Sequence, residues 1–74
     1  MNGFSEELVQ HSGRRIIRRP KVETMTGLKR SHIYALMKKD KFPKTIPLSE
    51  RAVGWDLSEV EQWVDERYKH RMSR

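Results

Sequence analysis

The sequence predicts a single, mainly α-helical domain with a small β-hairpin. Its 74 residues suffice for one domain, and hydrophobic residues make up 35% of them, enough for one compact core. These residues recur at helical spacing in three stretches, and at alternate positions in two short runs between the second and third stretches. Spacings of three and four indicate amphipathic helices, whereas alternation indicates half-buried strands.

The first helix is expected over residues 20–25. Pro20 suits a first helical turn, where its missing N–H group is not needed. Val22 and Met25 are three residues apart and share one face. Gly27 favours a stop, because glycine readily adopts the positive φ with which many helices end. The preceding RRIIRR stretch (14–19) is either a short extended segment or the lead-in to this helix, with one isoleucine as an anchor to the core.

The second helix is expected over residues 30–39. Ile33, Leu36 and Met37 follow the i, i+3, i+4 pattern of one apolar stripe. Lys38 and Lys39 suit its end, because the helix dipole favours positive charge there.

A hairpin is expected next, since Ile46 and Leu48, and then Val53 and Trp55, alternate with other residues on either side of a short polar stretch. Pro47 cannot donate a hydrogen bond to a neighbouring strand, so its strand should lie at an edge. The expected structure is a two-stranded ribbon with Trp55 anchored in the core.

The third helix is expected to begin at Ser58, because Ser58 and Glu61 form an S-x-x-E capping box. Acidic residues crowd its start and basic residues its end, as the helix dipole favours. Its apolar stripe, in which Trp63 is expected to be a core residue, consists of Val60, Trp63, Val64 and Tyr68.

These elements together predict a winged helix-turn-helix. Two short helices joined by a glycine-containing turn are the helix-turn-helix element, and the hairpin after the second helix is the wing. The domain is expected over residues 14–71. Residues 1–13 are expected to be a flexible tail and residues 72–74 a frayed C-terminus.

The charge is strongly polarised along the chain. The formal net charge is +6. Residues 14–54 contain 12 lysines and arginines against three acidic residues, whereas residues 55–66 contain five acidic residues and no lysine or arginine. This distribution predicts a basic binding face for a polyanion, with nucleic acid as the first choice, and an acidic opposite face.

Several classes of function are disfavoured by the composition. The chain has no cysteine, so disulfides, thiolate metal sites and cysteine nucleophiles are excluded. Its three histidines are far apart and no glycine-rich phosphate loop is present, so we expect no enzyme, cofactor or metal site. No apolar run reaches the ~20 residues of a membrane span, and residues 1–13 lack the pattern of a secretory signal. A soluble cytoplasmic protein without membrane contact is expected.

Five short motifs, in order and at matching spacing, resemble the AlpA family of small phage and prophage DNA-binding regulators, close relatives of the excisionases. The resemblance covers about residues 15–71. The motifs are Thr26-Gly27-Leu28, Arg30-Ser31-His32-Ile33-Tyr34-Ala35-Leu36, Lys41-Phe42-Pro43, Arg51-Ala52-Val53-Gly54-Trp55 and Ser58-Glu59-Val60-Glu61-Gln62-Trp63.

The resemblance implies a winged helix-turn-helix of the MerR and excisionase type that binds specific DNA in a bacterial or phage-encoded setting. It implies an excisionase (recombination directionality factor) that works with an integrase, or alternatively a transcription regulator of an integrase or prophage gene. The implied partners are attachment-site or promoter DNA, a site-specific integrase and other copies of the chain bound cooperatively. Two residues depart from the family pattern: Lys29 replaces a usual capping serine, and Ala35 a common arginine.

The second helix is the expected recognition helix, whose N-terminal residues lie nearest the bases in the major groove. Arg30, Ser31, His32 and Tyr34 are the predicted contacts there, and arginine prefers guanine. Tyr34 is alternatively a half-buried packing residue, and His32 lies at the edge of the face. Phosphate contacts are predicted for Lys29, Lys38, Lys39, Lys41 and Lys44.

Arg51 in the hairpin is predicted to enter a narrow minor groove, with a phosphate contact or a free side chain as the alternatives. Arg18, Arg19 and Lys21 lie near the start of the first helix, which faces the DNA backbone in this fold. A protein-interaction module that docks through the acidic third helix is the rival interpretation. Substitution of Arg30 and Lys38 would separate the two, because a pure adaptor would lose nothing.

Overall fold

The computed structural model describes residues 14–72, with the side chains of residues 14–71. The tail predicted for residues 1–13 lies outside the described residues, as do residues 73 and 74 of the predicted frayed end. The elements in chain order are β1 (Ile16–Ile17), α1 (Arg19–Thr26), α2 (Arg30–Lys38), β2 (Ile46–Pro47), β3 (Val53–Asp56) and α3 (Leu57–Met72). This order confirms the winged helix-turn-helix.

The turn between α1 and α2 follows the sequence prediction. Gly27 has φ of 76°, and its N–H group donates to the Glu23 carbonyl at 2.7 Å. The Leu28 N–H group donates to the hydroxyl oxygen of Thr26 at 3.1 Å. The glycine therefore ends α1 in the left-handed conformation that other residues adopt at a cost.

The end of α2 is closed by a Schellman motif, a feature that the sequence did not signal. The Lys41 N–H group donates to the Leu36 carbonyl at 2.8 Å, and the Asp40 N–H group donates to the Met37 carbonyl at 3.0 Å. Asp40 occupies the left-handed position with φ of 59°. Aspartate tolerates this conformation better than most residues, because its short polar side chain can hydrogen-bond locally.

The wing belongs to a three-stranded antiparallel sheet in the order β1-β3-β2. The predicted two-stranded ribbon is therefore wrong: Ile16 and Ile17 pair with Asp56 and Trp55 of β3. A two-residue strand shows no alternation, so its sequence could not distinguish it from a lead-in. The edge position predicted for the proline strand is confirmed, because β2 pairs with β3 alone in this sheet of the described chain.

Gly54 lies where β1 and β2 both approach the centre of β3. A Cβ atom added there would overlap the Ile16 side chain and lie 2.9 Å from the Ile17 carbonyl oxygen. The absence of a side chain lets β1 approach β3 closely.

The cap of α3 differs from the prediction. The helix begins at Leu57 rather than after Ser58, and the capping carboxylate belongs to Asp56. Its Oδ1 atom accepts from the Ser58 N–H group at 2.9 Å and from the Ser58 hydroxyl at 2.8 Å. Ser58 thus donates to the cap instead of forming it. The Leu57 N–H group donates to the Arg15 carbonyl at 2.8 Å, which ties β1 to the start of α3.

The core lies between the three helices and the sheet. Its buried residues are Val22, Ile33, Phe42, Trp55 and Val60. Trp55 is fully buried, as predicted, whereas Trp63 is only partly buried against this cluster. The Trp63 indole N–H donates to the Lys41 carbonyl at 2.8 Å. Tyr68, the last member of the predicted stripe, is 56% exposed.

Within residues 14–72, no helix is long and apolar enough to cross a membrane.

Candidate nucleic-acid interface

The first turns of α2 present polar side chains to solvent. Ile33 is completely buried and fixes the inner face of the helix in the core. Arg30, Ser31 and His32 are consequently exposed, and Tyr34 is 37% exposed. A helix that is anchored on one face and exposed at its N-terminal end has the geometry needed to insert into a DNA major groove.

A groove of about 400 Å³ lies beside this surface, between the start of α1, α2 and the wing. We call it the arginine groove. It is lined by Arg18 and the first two residues of α1 (19–20), by Arg30 and Tyr34 of α2, and by Arg51, Val53 and Trp55 of the wing. The fold thus brings together three predicted binding arginines that are far apart in the chain.

Tyr34 connects α2 to Trp55, another residue that lines the arginine groove. Its ring meets the Trp55 ring edge-on, with ring centroids 6.1 Å apart. The Arg30 guanidinium lies 5.8 Å from the centroid of the Tyr34 ring. The packing alternative raised for Tyr34 is therefore observed, since its ring contacts that of Trp55, while more than a third of the residue stays exposed. Its contact with DNA stays a prediction.

The N-termini of α1 and α2 are both basic and lack a side-chain cap. Arg18 and Lys29 occupy the N-cap positions, and neither side chain makes a capping hydrogen bond. Neither helix has an acidic residue in its first turn. At Lys29, where the family pattern has a capping serine, the structure thus shows no side-chain cap. The first N–H groups of such helices and their positive dipole ends favour an anion.

The remaining predicted cations are distributed more widely. Lys21, Lys29, Lys38, Lys39 and Lys41 are exposed. Arg19 forms an ion pair with Glu23 at 3.0 Å.

Lys44 pairs with Asp40 at 3.3 Å, and both side chains are more than 70% exposed. Such an exposed pair contributes little stability and leaves the lysine able to exchange partners. Lys44 nevertheless lies on another groove, apart from the arginine groove.

That second groove, which we call the acidic groove, has a volume of about 670 Å³. Its acidic lining comes from Asp40, Asp56, Glu59 and Glu66. The hydrogen bond from the Ser58 side chain, followed by those from the Ser58 and Glu59 backbone, holds the pKa of Asp56 below its usual range. The polarity expected from the sequence therefore corresponds to two differently charged grooves.

Trp55 carries a feature that the sequence did not reveal. Its indole N–H is buried and makes no hydrogen bond to any of the residues that the structure describes. A buried donor without a partner is uncommon in folded proteins and costs free energy. The tryptophan was identifiable from the R-x-V-G-W motif, but only as a core anchor.

No group of three or more potential metal-ligating side chains occurs among the side chains of residues 14–71.

Two arginines of α3 lie over aromatic rings: Arg67 is 4.6 Å from the Trp63 ring centroid, and Arg71 is 5.4 Å from that of Tyr68. These contacts stabilise the C-terminal half of α3, away from the arginine groove.

Comparison with known proteins identifies the family. Residues 15–68 match the family described as prophage CP4-57 regulatory protein (AlpA). The chain is 42% identical over 50 residues to the uncharacterized protein ORF88 of Enterobacteria phage P4, a match that spans 68% of this chain and 57% of that protein. It is 34% identical over 61 residues to the DNA-binding transcriptional activator AlpA of Escherichia coli K12, covering 74% of this chain and 87% of the relative. The chain therefore belongs to the AlpA family of prophage regulatory proteins.

Proposed function

We propose that the protein is a sequence-specific double-stranded DNA-binding regulator that inserts α2 into the major groove. The observation that carries the proposal is the exposed N-terminal end of α2 beside the arginine groove. The E. coli relative, described as a DNA-binding transcriptional activator, supports it. The proposed binding unit is residues 14–71, with residues 1–13 as a tail.

Base readout falls to the exposed residues at the start of α2. Arg30 donates to guanine O6 and N7, and Ser31, His32 and Tyr34 contact neighbouring base edges or a thymine methyl group. Because Ala35 supplies no polar group, the site preference differs from that of relatives with an arginine there.

The exposed cations around α2 hold the DNA backbone. Their role is to position the helix, since phosphate contacts carry no sequence information directly. Arg51 in the wing reaches the adjacent minor groove or the phosphates beside it. The other proposed phosphate contacts are Arg18, Lys21, Lys29, Lys38, Lys39, Lys41 and Lys44.

Two regulatory roles fit this mode of binding. A transcription regulator of an integrase or prophage gene is supported by the described activity of the E. coli relative. An excisionase that binds attachment-site DNA with an integrase, in several cooperative copies, is supported only by the close relation of the AlpA family to the excisionases. The two roles differ in the DNA that is bound and in how strongly it is bent.

Footprinting on the protein's own genetic neighbourhood, with parallel measurement of DNA bending, tests the proposal. One protected operator at a promoter with little bend indicates a transcription regulator. Several adjacent protected sites beside an attachment site, with a clear bend, indicate an excisionase. No specific protection at moderate salt on either region overturns sequence-specific binding and favours a protein adaptor.

A matched pair of variants tests the binding face itself. Arg30→Ala should weaken binding to the protected site by about 1–3 kcal/mol, roughly 5- to 150-fold, and relax its sequence preference. Lys69→Ala removes the same charge from an exposed position on α3 and should leave the sequence preference unchanged. Equal losses of affinity in both variants would contradict the placement of α2 in the major groove.

The affinity of the wild-type protein for DNA should also fall as salt is added, with a log–log slope of about −5 to −7 if six to eight phosphates are neutralised.

A further inference from the structure

We propose that the arginine groove binds one phosphate of the DNA backbone, held jointly by Arg18, Arg51 and the indole N–H of Trp55. This inference rests on the proposed function and assigns to Arg51 a phosphate in place of the minor-groove floor. It makes Trp55, a residue of the hydrophobic core, a direct ligand of DNA.

The position of the groove is the first argument. In B-DNA, one sugar–phosphate strand separates the major groove from the adjacent minor groove. With α2 in the major groove and the wing at the minor groove, that strand must pass between them. The arginine groove occupies this space, since it is lined by α2 on one side and by the wing on the other.

The charge of the groove is the second argument. Four arginines line it (Arg18, Arg19, Arg30 and Arg51), and no aspartate or glutamate does. Arg19 is already paired with Glu23, which leaves three for a ligand. Arg18 is also the N-cap of α1, at the positive end of the helix dipole, with no acidic residue in the first turn. Positive charge at this end of a helix is unfavourable until an anion neutralises it. Arginine forms paired hydrogen bonds with phosphate oxygens, which makes phosphate the matching ligand.

The buried indole is the third and independent argument. Trp55 is 0% exposed, and its N–H has no partner among the described residues. Trp55 is among the residues that line the arginine groove, and an indole N–H can only donate. The missing partner is therefore an acceptor. A phosphate oxygen supplies it in the proposed complex. Because the N–H is buried in the free protein, its contact with the phosphate requires neighbouring groups to move, and the exposed side chains of Arg18 and Arg51 rearrange around the phosphate as it enters.

A double-mutant cycle tests whether Arg18 and Arg51 share one phosphate. Binding of a fluorescent 20-base-pair duplex is measured over a salt series for wild type, Arg18→Gln, Arg51→Gln and the double variant. Each independently contacted phosphate contributes about 0.9 to the log–log salt slope. If the phosphate is shared, the salt slope of the double variant is smaller in magnitude than that of wild type by about 0.9 in total. A reduction of about 1.8 means that the two arginines contact separate phosphates, and it overturns the inference. Lys69→Gln is the control for loss of one charge.

The indole signals of the ¹⁵N-labelled protein provide the second measurement. Trp63 serves as an internal reference, because its indole N–H already donates to the Lys41 carbonyl. Trp63→Phe assigns the two signals. Addition of the duplex should shift the Trp55 indole proton downfield, leave that of Trp63 in place, and have no such effect in the Arg18→Gln/Arg51→Gln variant. An unmoved Trp55 signal in a saturated complex overturns the inference.

The two proposals fail in different ways. A wild-type protein that binds no duplex refutes the proposed function. A protein that binds the duplex with an unmoved Trp55 signal refutes only the shared phosphate. Inorganic phosphate, titrated alone, identifies the source of the anion. If it shifts the Trp55 signal and the duplex does not, the groove binds a free anion and the backbone assignment is overturned.

Discussion

Helix N-termini differ between two regions of the molecule. The helix at the junction between the wing and α3 is capped, whereas the two helices of the helix-turn-helix half are not. At the junction, Asp56 caps α3 through two hydrogen bonds, and Glu59 lies in the first turn. In the helix-turn-helix half, Arg18 and Lys29 occupy the N-cap positions without a capping bond, and no acidic residue follows in either first turn.

The difference separates residues that favour folding from residues that favour binding. The junction follows the local rules for a stable helix, and β1, β3 and α3 are joined there by backbone hydrogen bonds. The helix-turn-helix half violates those rules at two successive helices. Sequences break local rules chiefly at functional sites, where stability is given up for a partner. The two uncapped helix starts therefore coincide with the proposed binding face.

The largest expected effect comes from the junction. Gly54→Ala forces the added Cβ atom against the Ile16 side chain and the Ile17 carbonyl, which should lower the free energy of unfolding by about 1–3 kcal/mol or more. Urea unfolding measures it. Gly27→Ala is the graded control: its added Cβ meets open space, and the cost is the left-handed φ alone, about 1 kcal/mol. A Gly54 variant no less stable than the Gly27 variant would refute the close approach of β1 and β3.

Removal of the α3 cap should have a smaller effect. Asp56→Ala loses the acceptor of both Ser58 hydrogen bonds and should lower the free energy of unfolding by about 0.5–2 kcal/mol. Asp65→Ala, on an exposed part of the same helix, should change it by less than about 0.5 kcal/mol. Thermal unfolding of both variants checks the expectation, and equal stabilities would mean that Asp56 does not cap α3.

A cap added to α2 should raise the free energy of unfolding and, at the same time, weaken DNA binding. Lys29→Ser introduces a side chain that can accept from the uncapped N–H groups, so the free energy of unfolding should rise by about 0.5–1 kcal/mol. The same change removes a proposed phosphate contact, which should weaken DNA binding and reduce the salt slope by about 0.9. Lys69→Ser is the control on α3. If Lys29→Ser instead lowers the free energy of unfolding, the uncapped start of α2 does not reduce the stability of the wild-type protein.

The smallest effect concerns pH. The pKa of Asp56 is lower in the folded protein than its ordinary value, chiefly because the Ser58 side chain donates to the carboxylate. The ionised carboxylate of Asp56 therefore contributes to the free energy of unfolding. This contribution is complete above about pH 4 and is lost as the pH falls through the lowered pKa. Asp56→Asn keeps a cap but has no charge to titrate. The stability difference between wild type and this variant should therefore shrink between pH 6 and pH 3, as measured by urea unfolding.

The sequence sufficed for every element whose residues repeat a pattern. The stripes around Ile33 and Val60 predicted α2 and α3, and alternation around Trp55 predicted the hairpin. It did not suffice for β1, whose two residues form no pattern, so pairing with a distant strand decides their structure. The α3 cap was misplaced because Asp56 and Ser58 are both good N-cap residues, and the backbone of β3 determines which one lies at the boundary.

The site was predictable in composition and less so in arrangement. The exposed start of α2 followed from the apolar stripe on its opposite face. The convergence of Arg18, Arg30 and Arg51 depends on the packing of three elements, and Lys44 lies apart from them for the same reason. The unpartnered N–H of Trp55 is a property of one atom's surroundings, which no sequence pattern reports.

The pairing of β1 with β3 also bears on how the domain forms during synthesis. Its partners, Ile17 with Trp55 and Ile16 with Asp56, lie about 40 residues apart in the chain, and contacts between distant residues form slowly because a long loop must close first. The helix-turn-helix has only local contacts within itself and can take shape earlier. On the ribosome, the sheet cannot be completed until β3 has emerged from the exit tunnel, so β1 remains unpaired until that point.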